Sequence, residues 1–170
     1  AGGRGGGAGV GGGGPGLRFT RTYASHGGDE PTFLGRGWHS DLDSAVIPDR
    51  CGSYTVTGAA GQGQRFVADA PLPDGDRGYR ALHGYHGTLV QRSGGDFDFY
   101  AKDGTRYHFA EPAAAGRRLS FIEDPNGNRV SYEYDRATLP HQVRRMTDSA
   151  GRALEMLYAP VVIREGEAGS

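Results

Sequence analysis

Apolar and polar residues alternate along much of this chain with a period of two, the signature of strands that bury one face. Val130, Tyr132 and Tyr134 alternate with Ser131, Glu133 and Asp135, and Leu154, Met156 and Tyr158 continue the parity. Upstream, Asp96-Phe-Asp-Phe-Tyr100 alternates acid with aromatic, and Leu119-Ser-Phe-Ile122 reads as another arm. Leu17-Arg-Phe-Thr-Arg-Thr-Tyr23 repeats the pattern near the start. No stretch has a convincing helical period, so the expected class is all-β, built from antiparallel hairpins.

The punctuation between these strands recurs. Asp124-Pro-Asn-Gly-Asn-Arg-Val-Ser-Tyr-Glu-Tyr134 and Asp148-Ser-Ala-Gly-Arg-Ala-Leu-Glu-Met-Leu-Tyr158 share Asp, Gly and Tyr at an offset of 24 residues, with Arg152 standing where the first copy has Asn128. An Asp opening a turn accepts bonds from backbone N–H groups ahead of it, and Gly127 and Gly151 supply positive φ cheaply. Asn126-Gly127 predicts a tight hairpin turn between Leu119–Ile122 and Val130–Tyr134. A worn copy precedes them: Asp103 and Gly104 stand before Arg106-Tyr-His-Phe109, with the first arm at 96–100. Residues from about 96 to 163 therefore read as consecutive hairpins in register. A repeat of this length points to an array of small units rather than to a pocket enzyme.

Composition changes the picture at the ends. Of 31 glycines, those crowded into residues 1–16 make a run that cannot repay the entropy of ordering, and it reads as a flexible linker. No strand precedes that run and no Lys-Ser or Lys-Thr follows, so it is not a nucleotide-binding loop. Residues 17–95 form an N-terminal β region, 96–163 the hairpin repeats and 164–170 a polar tail. Nineteen basic residues against twenty acidic give no reason to expect a nucleic-acid partner, and no run is apolar enough for a membrane span.

Isolated chemistry is thin. His83 and His86 in Leu82-His-Gly-Tyr-His-Gly87 lack the Glu and the helix of a metalloprotease pair. His39, Asp41 and Asp43 would share one strand face, which reads as a solvated polar face rather than an acid–base group. Asp96 and Asp98 also share a face, but two carboxylates are too few for calcium. Cys51 is the single cysteine, so no intrachain disulfide forms, and its place in Asp49-Arg-Cys-Gly52 reads as incidental. No Ser sits in a nucleophile elbow. No catalytic, metal or cofactor site is expected.

Two glycines bracket an Arg just before the only Trp in Phe33-Leu-Gly-Arg-Gly-Trp38, consistent with a tight turn that delivers Trp38 into a core. Pro15-Gly-Leu-Arg-Phe-Thr-Arg-Thr-Tyr-Ala-Ser25 followed by Leu34-Gly-Arg-Gly-Trp-His39 resembles the entry region of Rhs or YD-repeat proteins, with Arg21, Tyr23, Gly35, Gly37 and Trp38 as its anchors. The Asp-x-x-Gly-Asn/Arg units that end in Tyr resemble the repeats themselves. The resemblance implies a portion of a long β-sheet that spirals into a hollow shell, related to the shells of insecticidal toxin complexes and teneurins. In bacterial members, of polymorphic-toxin type, the shell encloses a toxic C-terminal domain for delivery to a neighbouring cell.

The resemblance thus implies a non-enzymatic scaffold segment of a secreted or cell-surface protein. Its partners would be further repeats and a toxin domain of the full-length protein, with secretion-system components or surface glycans beyond them. A Gly-Asp-Pro-Val-like segment, usual before the entry strand, is replaced by the glycine run. The closing repeat-associated core with its self-cleaving aspartate motif does not follow, so an N-terminal fragment is expected. The alternative is a carbohydrate- or cell-surface-binding β module. In that reading Tyr79, Tyr85, Tyr100, Tyr107, Tyr132, Tyr134 and Tyr158 stack on sugar rings.

Overall fold

The alternating segments fold as strands, and most of the described turns between them carry a glycine at positive φ. The computed structural model describes residues 21–23, 38–58, 63–82, 84–135 and 142–158. Among them lie β1 (Arg21–Tyr23), β2 (Trp38–Ser40), β3 (Ala45–Pro48), β4 (Tyr54–Thr57), β5 (Gln64–Pro71), β6 (Arg77–Ala81) and β7 (Thr88–Gln91). They continue with β8 (Phe97–Tyr100), β9 (Arg106–Pro112), β10 (Arg117–Glu123), β11 (Arg129–Asp135), β12 (Gln142–Asp148) and β13 (Ala153–Glu155). Every pairing among them is antiparallel. The described residues hold no α-helix, only short 3-10 turns such as Asp41–Asp43 and Pro73–Gly75.

The hairpin meander begins at β3, well before residue 96, and its first eight strands curl round until β10 meets β3. β3 to β10 thus close an eight-stranded up-and-down barrel, a size whose interior side chains can fill it without a channel. Each strand sends one or two apolar residues inward: Val46, Val56, Phe66, Tyr79, Leu89, Phe97, Phe99, Phe109 and Leu119 form one buried cluster. Cross-strand register stacks them, with Val46 opposite Val56, Leu89 opposite Phe99 and Phe97 opposite Phe109. Phe66 and Phe99 meet edge to face at 5.7 Å between ring centroids. The boundary expected at residue 95 falls between β7 and β8, inside this barrel. The physical reason is that β8, β9 and β10 supply the wall that completes the core begun by β3–β7.

Closure is narrow. The β3–β10 seam consists of two register pairs, Arg117 with Val46 and Arg118 with Ala45, extended by a bond from the Leu119 N–H to the Ser44 carbonyl at 3.2 Å. Pro48 ends β3 without a donor, and register shifts in β10 on either side of Leu119 bend that strand. At the seam Gly116 has φ +90°, and a Cβ there would run into the Val46 carbonyl. Gly116→Ala should therefore cost roughly 2–4 kcal/mol, from left-handed strain and from forcing the two backbones apart. A urea unfolding midpoint unchanged from wild type would show that the seam does not close against Gly116.

β10 is shared by two layers. One of its edges is taken by β9 along the whole strand; the other is divided, with β3 on Arg117–Arg118 and β11 on Phe121–Glu123. From β11 the sheet continues outward through β12 to β13. A second buried cluster of Leu42, Val130, Val143 and Met146 lies against this extension, with Leu42 contributed by the 3-10 turn ahead of β3.

Candidate functional site

The repeat can be read bond by bond. In the first copy the Asp124 N–H donates to the Asn128 carbonyl at 2.9 Å and the Gly127 N–H to the Asp124 carbonyl at 3.0 Å. The Asp124 carboxylate accepts from the Asn126 and Asn128 N–H groups at 2.9 Å and from the Asn128 side chain at 2.8 Å. In the second copy the Asp148 N–H reaches the Arg152 carbonyl at 3.0 Å and the Gly151 N–H the Asp148 carbonyl at 3.0 Å. The Asp148 carboxylate accepts from the Ala150 and Arg152 N–H groups at 3.0 and 2.9 Å, and from Arg152 Nε at 2.6 Å.

These are three-residue loops, a type I turn followed by a left-handed Gly, rather than the tight Asn-Gly turn expected. Gly127 has φ +82° and Gly151 +78°, while Asn126 is not among the positive-φ residues. The Asp124 carboxylate holds the backbone amides ahead of it in that form. In the worn copy Ala101 occupies the place of Asp124, and Asp103 caps the Thr105 N–H from within the loop at 2.9 Å. The side-chain bond from Asn128 holds the Asp124 carboxyl below the ordinary range. At Asp148 burial acts the other way, and the bonds from Arg152 outweigh it.

The two terminal tyrosines do the same thing in each copy. The Tyr134 hydroxyl donates to the Leu119 carbonyl at 2.6 Å and the Tyr158 hydroxyl to the Val143 carbonyl at 2.8 Å; donor and acceptor both move by the 24-residue offset. Each bond lies where one strand leaves its neighbour. β11 pairs with β10 at Phe121–Glu123 and then diverges, and β13 pairs with β12 at Arg145–Thr147 and ends. The hydroxyl takes the carbonyl that the departing backbone leaves behind. Burial raises the Tyr134 pKa, and burial together with the Asp43 charge raises that of Tyr158 to about 12, so both stay protonated donors.

Tyr132 packs against both cores and Tyr107 against the barrel core. Tyr79 is buried with its hydroxyl on Gln91 at 3.1 Å, and Tyr100 accepts a bond from Arg92 at 2.8 Å. Of the seven tyrosines that a sugar-stacking face would use, only Tyr85 is exposed. The other six are engaged by cross-strand packing or by hydrogen bonds within the protein.

The outer face of the barrel carries a set of charges that strand alternation alone does not reveal. Asp98 points away from the core between Phe97 and Phe99, yet it is 0% exposed. Arg92 Nε reaches it at 2.6 Å, Arg106 Nε at 2.9 Å and His108 Nδ1 at 2.8 Å. Arg92 also binds Asp76 at 2.8 Å, carrying the network to the loop after β5. Across β10 the His108 ring stacks on Phe121 at 4.6 Å, and the Arg129 guanidinium lies 3.9 Å from the same ring while binding Glu123 at 2.6 Å. Burial by itself would raise the Asp98 pKa; the bonds from Arg106, His108 and Arg92 outweigh it and keep the carboxyl below the ordinary range. A buried carboxylate saturated by three donors is a lock between strands, not a general base or a calcium ligand.

Beyond Phe121 the face dips into an open groove of about 300 Å³ lined by Glu123, Arg129, Ser131, Thr147, Asp148 and Ser149. Its charges are paired within the protein, Arg129 with Glu123 and Asp148 with Arg152.

The other expected residues are scattered. Arg21 and Tyr23 lie on β1 and Trp38 on β2, with Tyr23 opposite Trp38 in register. Gly35 and Gly37, the linker at 1–16, the tail at 164–170 and His83 lie outside the described residues. His39 is on β2, whereas Asp41 and Asp43 belong to the 3-10 turn, so the three do not share a strand face. His86 and Cys51 are exposed. Among the described residues no three His, Cys, Asp or Glu side chains gather as a metal site would require.

A family model described as a domain of unknown function, DUF6531, matches residues 10–66, from the glycine run through β1–β4 into β5. No curated protein and no solved structure matches the chain.

Proposed function

We propose that this chain is a structural β-scaffold of an Rhs/YD-repeat, polymorphic-toxin-like protein. In this reading the barrel is the entry region, β11–β13 begin a repeat wall, and the wall continues into a shell that encloses a C-terminal toxin and helps deliver it outside the producing cell. Its partners are further repeats and the toxin domain in the same polypeptide, and the scaffold has no catalytic role.

The observation that carries this reading is the tyrosine-to-carbonyl bond made twice at the 24-residue offset, together with the same Asp-capped loop in each copy. Such units can be added without new design, since each leaves an edge for the next. The DUF6531 match over residues 10–66 supports it as well, because domains of that description often occur in Rhs-type proteins.

The direct test replaces residues 159–170 with a further copy of residues 135–158. The added unit should pair on the existing sheet, gain amide-exchange protection and raise the unfolding midpoint. An appended unit that stays protease-sensitive and leaves stability unchanged would sink the repeat-wall reading.

A further inference from the structure

We propose that Asn126 is a site of spontaneous deamidation, in which the Gly127 backbone nitrogen attacks the Asn126 side chain, and that the Asp124 cap sets its rate. The inference concerns one loop and does not depend on the shell.

The chain has two asparagines, Asn126 and Asn128, and both lie in the turn of the first repeat copy. Only Asn126 is followed by glycine. A backbone nitrogen that attacks the preceding side chain must come close to its Cγ, and a residue without Cβ hinders that approach least. Asn126 and Gly127 are both exposed, so hydroxide and water reach them. Asn128 stands differently. It is half-buried, its side chain donates to Asp124 at 2.8 Å, and the N–H that would have to attack it, that of Arg129, donates to Ser149 Oγ at 2.6 Å. The second copy lacks the site, with Ala150 and Arg152 where the first has Asn126 and Asn128.

The reaction balances with water alone. Hydroxide takes the Gly127 amide proton, the nitrogen bonds to Asn126 Cγ, the bond from Cγ to the side-chain nitrogen breaks, and ammonia leaves with a proton supplied by water. A water molecule then opens the cyclic imide. Opening at the former side-chain carbonyl gives aspartate; opening at the backbone carbonyl gives isoaspartate, whose main chain runs through the side chain and is longer.

In the folded loop the proton that must leave is engaged. The Gly127 N–H donates to the Asp124 carbonyl at 3.0 Å, and the Asp124 carboxylate fixes the loop by accepting from the Asn126 and Asn128 N–H groups at 2.9 Å. Reaction therefore waits for local opening, as amide exchange does. Asp124 acts through the loop and not on the reacting atoms, so it is a positioning residue. The consequence falls at a junction, because β10 and β11 share only three register pairs and this loop joins them. Aspartate adds a charge beside Asp124, and isoaspartate lengthens the loop against its cap.

The test ages the full chain in mildly alkaline buffer, follows deamidation by intact mass and peptide mapping, and measures Gly127 amide exchange in parallel. Deamidation should appear at Asn126 and not at Asn128, as an aspartyl and an isoaspartyl product, and should vanish in Asn126→Ala. Asp124→Ala should speed it about tenfold or more, the factor expected for losing one charged hydrogen bond. Asp124→Ser, whose hydroxyl caps the same turn more weakly, should fall between the two and carries the test if the alanine variant does not fold. In each protein the deamidation rate should follow Gly127 exchange. Absence of deamidation at Asn126 overturns the proposal, as does equal reaction at Asn128. An Asn126 rate unchanged between wild type and Asp124→Ser also overturns it, because the cap then restrains nothing.

Discussion

Replacing Asp98 by alanine is expected to lower unfolding free energy by about 3 kcal/mol. Breaking a buried ion pair from one side costs roughly 3–5 kcal/mol because the partners are left uncompensated. The lower end applies because Arg92 and Arg106 are 38% and 31% exposed and can partly rehydrate. Asp98→Asn keeps the volume but cannot balance three donors, so it should lose nearly as much. Chemical denaturation of both variants decides the matter, and an Asn variant within about 0.5 kcal/mol of wild type would mean that shape, not charge, holds the site.

The same substitution predicts a change with pH. The folded pKa of Asp98 lies below its ordinary 3.8, so its stabilisation is complete above the unfolded value and is lost as pH falls through the folded one. From about pH 5 downward the wild-type protein should lose stability more steeply than Asp98→Ala. Parallel acid-unfolding curves for the two proteins would contradict the depressed pKa.

The second large effect is expected at Phe99. Its side chain is 1% exposed, meets Phe66 at 5.7 Å and Tyr107 at 5.8 Å, and covers Gly87 so closely that a Cβ there would touch its ring. Phe99→Ala should cost about 4 kcal/mol, within the roughly 3–5 kcal/mol range for emptying a core phenylalanine site. A closed barrel has little freedom to collapse around the void, which argues against the low end. Thermal unfolding of Phe99→Ala beside Phe99→Leu is the measurement. A loss below about 1 kcal/mol for Ala would show that the interior is loosely filled.

The strands from β8 to β11 are legible in the sequence because period-two alternation is a local property and survives without the rest of the chain. Barrel closure is not. It depends on β3 meeting β10 across most of the barrel sequence, through two register pairs and a glycine whose role is visible only when the Val46 carbonyl lies against it. The loop form departs from expectation for a related reason: Asn126-Gly127 favours a tight turn in isolation, but Asp124 engages the amides ahead of it and favours the longer loop.

The Asp98 lock does leave a trace in the sequence. Folding 97–100 onto 106–109 across the loop at 102–104 sets Asp98 directly opposite His108, and an acid facing a base across two strands is a pair to expect. The turn at Asp49-Arg-Cys-Gly52 matters for its ends rather than its cysteine. It holds the same Asp and left-handed Gly as the repeats, with the Asp49 N–H on the Ser53 carbonyl at 2.8 Å and Gly52 at φ +71°.

The divided edge of β10 also sets an order of events. All eight barrel strands precede β11 in the chain, and N-terminal units tend to fold first during synthesis. Once β3 has claimed Arg117 and Arg118, only Phe121–Glu123 remain on that edge, so β11 meets a template with a single available register. The finished barrel thus acts as a primer, fixing where the first hairpin of the extension starts.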